Sequence, residues 1–301
     1  MNAPKRTMHK HRGATVVTVD GFDVIECELC GFKHIMPLTS EEELKKFYAG
    51  EYYEQEKPDY FKHAEEDKEW LSDTYGLYYD LLEKQVSGRR LLDIGSGPGY
   101  FLDCGTERGW NVLGFEPSPA AAEYSRKRGL EVINDVFVQE RAQKQGPYDV
   151  IALSSVLEHL RDPIRLLRSV QEILVPGGLL FVAVPNDFNP LQELLVEHCG
   201  YKPWWVVPRH HLNYFSIDSL SKLLTRLSLA PIEIGTTYPM EFFLLGGRNY
   251  VDTPMVGRAC HAERKEFERN FFLYNKPLLW EYYKSLARQG IGRDAVLIAK
   301  K

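Results

Sequence analysis

The chain has no apolar run approaching the roughly 20 residues needed to cross a bilayer, and its opening residues, MNAPKRTMHKHR, lack the apolar core of a secretory signal. These absences lead us to expect a cytoplasmic protein with no membrane partner. Positive charge is not in excess: 37 Lys and Arg stand against 42 Asp and Glu, for a net charge of −5, and the pI is near 6.0. General affinity for nucleic acid needs a basic face that releases counterions, so nucleic acid is not an expected partner. Cysteine is scarce and odd in number, at Cys27, Cys30, Cys104, Cys199 and Cys260 of 301 residues. Without an export signal, this count excludes a disulfide framework. Internal repeats and low-complexity tracts are also missing, which excludes a solenoid.

What the chain has is enough material for one substantial core with one or two smaller attachments, since 44% of its residues are hydrophobic and 26% charged. Its most informative stretch is RLLDIGSGPGYF at 90–101, an apolar strand that runs into Asp93 and then a turn with glycine at 95, 97 and 99. Glycine recurs where a strand reverses into a helix while its backbone approaches a ligand, because a Cβ would block the dihedral or the approach. The spacing is G-x-G-x-G, with an acid two positions before the first glycine, whereas a dinucleotide fold would show G-x-G-x-x-G. Further short apolar strands follow: NVLGFEP (111–117) carries Glu116, 23 positions after Asp93, and EVIND (131–135) delivers Asp135. YDVIALSS (148–155), VPGGLLFVAVPN (175–186), PIEIGTTY and GRDAVLIAKK complete the series. Helices alternate with them. Ser118 and Pro119 open one that Gly129 closes, Asp162 and Pro163 open another that ends before Pro176, and a third over about 216–227 puts Ile217, Leu220, Leu224 and Leu227 on one face. Such alternation implies an α/β fold with a mostly parallel sheet and ligands outside the carboxyl ends of its strands.

The glycine turn with its preceding acid resembles the first motif of class I S-adenosylmethionine methyltransferases, and the resemblance covers about residues 85–235. It implies a Rossmann-like α/β fold, with a seven-stranded mostly parallel sheet, helices on both faces and an antiparallel closing strand. Around that sheet we expect a small N-terminal knuckle at 1–50, a helical cap over the cofactor cleft at 51–87, the methyltransferase core at 88–235, and a helical insertion with the final strand at 236–301. The resemblance places Gly95, Ser96, Gly97 and Gly99 around the methionine part of S-adenosyl-L-methionine, with Asp93 near its ammonium. It places Glu116 on the ribose hydroxyls, Asp135 on the adenine, and Ser154 along the other side of the methyl donor.

Methyl transfer is an in-line displacement at a carbon activated by a sulfonium, so the protein must position a nucleophile and, where needed, remove its proton. PRHHLNYFS at 208–216 holds the densest set of suitable groups. His211 is the first candidate base, because adjacent side chains on an extended segment point apart and only one histidine faces the substrate; His210 and Tyr214 accompany it. His159 in LEHLRDP, just after the fourth strand, is the second candidate base. The segment also resembles Y-H-E-H-L-S-Y-F-S of bacterial sugar C-methyltransferases, with His211, Leu212, Tyr214, Phe215 and Ser216 identical and Pro208, Arg209 and His210 different. That likeness implies a small polar acceptor, first a sugar or sugar nucleotide of cell-surface polysaccharide or natural-product biosynthesis. The aromatic Trp204, Trp205 and Phe215 suggest instead an O-methyltransferase of a quinone or other aromatic, and a third alternative is an inactive cofactor-binding interaction subunit. Carbon and oxygen both stay open as the methylated atom.

Two smaller signals remain. Cys27 and Cys30 form a C-x-x-C in ECELCGF that reads like half a zinc ribbon, and His9 and His11 precede it at a distance that would complete an S2N2 zinc site, with His34 as a further ligand. Arg209, Arg248, Arg258 and Arg264 could clamp a phosphate or carboxylate on the acceptor.

Overall fold

A computed structural model describes residues 11–47 and 59–301, so His9 lies outside the described residues. Eleven strands are found among them: β1 (Gly13–Val19), β2 (Phe22–Cys27), β3 (Lys33–Met36), β4 (Arg90–Ile94), β5 (Asn111–Phe115), β6 (Val132–Ile133), β7 (Tyr148–Ser154), β8 (Leu174–Pro185), β9 (Asn213–Tyr214), β10 (Ala230–Thr236) and β11 (Asp294–Lys300). Seven of them form one sheet in the order β10-β11-β8-β7-β4-β5-β6. From β8 to β6 the pairing is parallel, while β11 runs antiparallel to both β8 and β10. The expected Rossmann-like sheet with its antiparallel closing strand is therefore present.

Period-2 alternation divides the sheet into two packed faces. Leu92, Ile94, Leu113 and Phe115 turn to one side, under the helices Pro163–Ile173 and Ile217–Arg226. Leu91 and Val112 turn to the other, under Lys68–Glu83, Tyr100–Glu107 and Lys276–Ala287. The helix starts follow local chemistry: the side chains of Ser118, Asp162 and Ser216 accept from the backbone N–H of Ala121, Arg165 and Ser219. Of the segment expected as a cap at 51–87, Tyr60 reaches the cleft, but the helix Lys68–Glu83 is core rather than lid. Its Tyr79 stacks on Phe101 at 4.8 Å and its Tyr78 lies against Phe181 at 5.0 Å.

The N-terminal knuckle does not stand alone. β1, β2 and β3 form a second, four-stranded sheet whose last member is β9, contributed by the chain more than 170 positions later. Tyr214 lies on that strand, 1% exposed within an apolar cluster with Val24, Ile35 and Trp205.

Gly99 caps the helix Tyr100–Glu107 in the left-handed region at φ 79°. A Cβ there would stand 2.6 Å from Leu130 Cδ1 and 2.8 Å from Ser125 Oγ. Gly99→Ala is expected to lower stability by about 2–4 kcal/mol, from left-handed strain plus overpacking. Chemical denaturation reads this directly, and an unchanged midpoint would contradict it.

Candidate active site

The carboxyl ends of β4, β5 and β7 open into a cleft of about 650 Å³, whose walls include Gly95, Gly97, Glu116, Ser154 and His159. The glycine turn is tied to β5, since the N–H groups of Gly95 and Ser96 both donate to the Phe115 carbonyl, at 2.7 and 3.1 Å. Gly95 and Gly97 adopt φ of 75° and 52°. Glu116 follows β5 directly and is buried. Its Oε2 accepts from Gly97 N–H and its Oε1 from Ser118 N–H, each at 2.8 Å. Burial pushes the Glu116 carboxyl up, and these two N–H bonds oppose the shift. Asp93 is 2% exposed, and its Oδ1 has no hydrogen-bond partner among the described residues. Desolvation, reinforced by the Glu116 charge, pushes Asp93 up to about 7.

Asp93 is buried behind the turn and is not itself among the residues lining the cleft, and other expected cofactor residues point elsewhere. Ser96 is buried with its Oγ turned toward Gly114 of β5, and Gly99 serves helix packing as described. Asp135 is exposed and lies outside the cleft walls: its Oδ1 accepts from Val136 N–H at 2.9 Å, and its Oδ2 is 3.3 Å from Arg141. The next residues, Val136, Phe137 and Val138, line the cleft instead. An apolar triplet straight after a short strand was the available sequence signal for them. Ser155, held at φ 54°, and Tyr60 also reach the cleft, and the charge of Glu116 helps to raise the Tyr60 hydroxyl, after burial.

Among the three candidate histidines, His159 lines the cleft. His159 ends a short 3-10 turn, Leu157–His159. Its Nδ1 lies 2.9 Å from the His210 carbonyl, and because a carbonyl only accepts, Nδ1 holds the proton and Nε2 carries the lone pair. Desolvation pushes His159 down to about 4, against the pull of that hydrogen bond. His211 meets the His159 ring edge-on at 4.9 Å, and Glu158 Oε1 lies 3.7 Å from His159 Nε2. Burial pushes Glu158 up to about 8. The His210 ring stacks on Phe47 at 5.2 Å and meets the His211 ring edge-on at 5.2 Å, while its carbonyl fixes His159. Tyr214 is removed from the cleft: its hydroxyl accepts from Val207 N–H at 3.2 Å, inside the knuckle core.

Of the four arginines expected to clamp an acceptor, Arg209 and Arg258 are exposed, Arg248 pairs with Glu263, and Arg264 is buried beside Glu268. None lines the cleft, whereas Arg161 and Arg165 do. Away from the cleft, His11, Cys27, Cys30 and His34 gather their ligand atoms at one end of β2.

A sheet in this order, closed by one antiparallel strand and bearing a glycine turn bonded to a strand-end glutamate, defines the class I S-adenosylmethionine methyltransferase fold. Residues 68–234 match the model of a family described as a methyltransferase domain, and the chain belongs to that family. It is 31% identical over 169 residues to a ubiquinone biosynthesis O-methyltransferase of Caulobacter sp. (strain K31), covering 54% of this chain and 66% of that protein. To the protein of the same name from Aeromonas salmonicida (strain A449) it is 31% identical over 134 residues, covering 42% of this chain and 52% of the other. The chain thus spans between half and two thirds of these relatives. A solved S-adenosylmethionine-dependent methyltransferase from Archaeoglobus fulgidus shares the fold with a TM-score of 0.52 at 19% identity, over 80% of this chain and 99% of that one. Among the described residues, no helix is long and apolar enough to cross a membrane.

Proposed function

We propose that the protein methylates a hydroxyl of a small aromatic or quinone-type acceptor, with S-adenosyl-L-methionine as donor. The observation that carries this reading is the meeting of the Gly95–Gly97 turn and the Glu116 carboxylate in a cleft that His159 also lines. Three features suit the cofactor. Glu116 has about four lone-pair directions and spends two of them on Gly97 and Ser118, which leaves two for a ribose diol. Asp93 offers a buried carboxylate oxygen without a partner among the described residues, suited to an ammonium. Val136, Phe137 and Val138 offer apolar surface for a purine.

When bound, the cofactor supplies a methyl carbon already activated by its sulfonium. The chain's own task is then to hold the acceptor oxygen in line and to take its proton. His159 Nε2 faces that task as a neutral acceptor, with its tautomer fixed by the His210 carbonyl. Ser154 and Ser155 border the same space.

The acceptor class rests on the named relatives. The residues shared with the sugar methyltransferases support a sugar acceptor less than the relatives support a quinone, because three of them do fold work: Tyr214 fills the knuckle core, Phe215 the main core, and Ser216 caps a helix. Trp204 and Trp205 pack against each other at 4.9 Å away from the cleft, so they do not argue for an aromatic substrate either.

The test is transfer of a labelled methyl group from S-adenosylmethionine to a panel of catechols, hydroxylated quinone precursors and sugar nucleotides. Label on an aromatic hydroxyl is the expected result. Label only on sugar nucleotides overturns the acceptor class, and tight binding of S-adenosylhomocysteine without any transfer would leave a binding subunit. Binding of NAD in place of S-adenosylhomocysteine would overturn the cofactor.

A further inference from the structure

We infer that His11, Cys27, Cys30 and His34 form a tetrahedral zinc site that fixes the strand bonded to the turn carrying His159.

The four residues converge for reasons visible in the backbone. β1 and β2 pair with Gly13 opposite Cys27, which carries His11 past the end of β2. Gly31, at φ 77°, closes a tight turn in which its N–H donates to the Cys27 carbonyl at 2.9 Å, and this brings Cys30 back beside Cys27. β2 and β3 pair with Ile25 opposite His34, so His34 shares a sheet face with Ile25 and Cys27. One nitrogen or sulfur from each residue lies within 4.8 Å of the others.

The distances suit a metal better than hydrogen bonds. His11 Nδ1 stands 3.7 Å from Cys27 Sγ and 3.4 Å from Cys30 Sγ. Zinc bonds of about 2.3 Å to sulfur and 2.0–2.1 Å to nitrogen, set at tetrahedral angles, put sulfur and nitrogen about 3.5 Å apart. One imidazole nitrogen has a single lone pair and cannot accept from two thiols at once, whereas one cation can bind all three atoms. His34 is the independent sign. It is 1% exposed, its Nδ1 lies 3.3 Å from the Ile35 carbonyl, and its Nε2 has no hydrogen-bond partner among the described residues. A ring nitrogen bonded to a carbonyl, with the other bare and buried, is the arrangement that orients a metal-binding histidine. Both cysteines are free thiols, and on binding they would release their protons to solvent.

The site's consequence runs through β3 into β9. His34 is paired with Asn213, and Ile35 N–H donates to the Leu212 carbonyl at 3.0 Å. Asn213 Nδ2 in turn donates to the carbonyls of Leu157 and Leu160, at 2.8 and 2.7 Å, and Leu212 N–H donates to that of Glu158 at 2.7 Å. These bonds hold the turn that carries His159. Arg226 ties the knuckle to the core from the other side, donating to the Cys30 carbonyl at 2.7 Å. The metal therefore acts as a positioning element for the cleft.

Full-length protein purified without chelator is expected to hold about one zinc per chain, bound at about nanomolar affinity or tighter. Cobalt(II) loaded into chelator-treated protein should show the intense visible bands and thiolate charge transfer of a tetrahedral S2N2 site. Cys27→Ser, Cys30→Ser and His34→Ala should each weaken zinc binding by more than about 100-fold, while His9→Ala leaves it unchanged. Removing zinc from the wild-type chain should also speed amide exchange at Ile35 and Leu212. Wild-type protein that neither retains zinc nor binds it better than about micromolar would overturn the site, and so would metal loss in His9→Ala with retention in His34→Ala. Unchanged exchange at Ile35 and Leu212 would overturn the positioning role.

Discussion

Replacing Glu116 by glutamine is expected to weaken binding of S-adenosylhomocysteine by about 100- to 1,000-fold, the loss of two hydrogen bonds to a charged acceptor. The carboxylate stands between the glycine turn and the start of the next helix, holding Gly97 N–H and Ser118 N–H at 2.8 Å each. An amide cannot replace it, because one of its two heads would present N–H to an N–H. Glutamine therefore leaves one acceptor oxygen in place of two, which breaks the pair proposed for the ribose and loosens the turn itself. Titration calorimetry measures the effect, with circular dichroism to confirm the fold; affinity within about threefold of wild type would sink the ribose assignment. The same titration tests Asp93. In the free protein its carboxyl is pushed up to about 7, first by burial and then by the Glu116 charge. A ligand ammonium placed beside it favours the ionised form, so binding near pH 7 should expel up to about half a proton, and affinity should rise with pH through that range. Asp93→Asn should abolish the proton release. Equal binding heats in buffers of different ionisation enthalpy would remove Asp93 from the ammonium.

The parts of this molecule legible in the sequence are those set by local chemistry. Ser118, Asp162 and Ser216 sit where a helix needs a side-chain acceptor, and the structure starts helices there. The Asp93 turn and Glu116 were legible because a strand end fixes where its last side chains emerge, and parallel pairing of β4 with β5 then brings the two ends together. What escaped was set by distance in the chain. β9 is two residues long, with no pattern to announce it, yet its pairing with β3 turns Tyr214 from a candidate catalyst into a core residue. Asp135 is exposed beside Arg141, a partner brought to it by the loop after β6 rather than by any regular element the two share. Gly99 and Gly95 look alike in the motif. Only the approach of Leu130 and Ser125 to one of them, and of Val156 to the other, separates a packing glycine from one that borders the cleft. His34 gains its place beside Cys27 from the register of β2 against β3, which a C-x-x-C spacing does not encode.

Replacing His159 by alanine is expected to lower kcat by about 100- to 10,000-fold, the range associated with a general base, while the affinity for S-adenosylhomocysteine moves by less than about threefold. Geometry places His159 ahead of His211 for this role, since His159 lines the cleft with its Nδ1 tied to the His210 carbonyl, whereas His211 is not among the cleft-lining residues and meets the His159 ring edge-on. The pH dependence follows from the direction of the shift. Burial lowers His159 to about 4, so the folded protein keeps the ring neutral where an unfolded chain, near 6.5, would protonate it. The imidazole is then neutral throughout the neutral range, and as the proposed base it should give kcat/KM an acid limb near pH 4–5 rather than near 6.5. The same shift makes stability fully present above pH 6.5 and progressively lost as pH falls toward 4, so rates on that limb must be read alongside the folded fraction. Glu158 moves the opposite way. Pushed up to about 8, it stays protonated at pH 7 and places no negative charge beside Nε2. Glu158→Gln should accordingly keep kcat within about threefold at pH 7 and alter the profile only above pH 8. A His211→Ala variant should lose about tenfold, as expected for a ring that orients another. A His159→Ala enzyme with nearly normal kcat, beside a His211→Ala enzyme without activity, would transfer the base to His211.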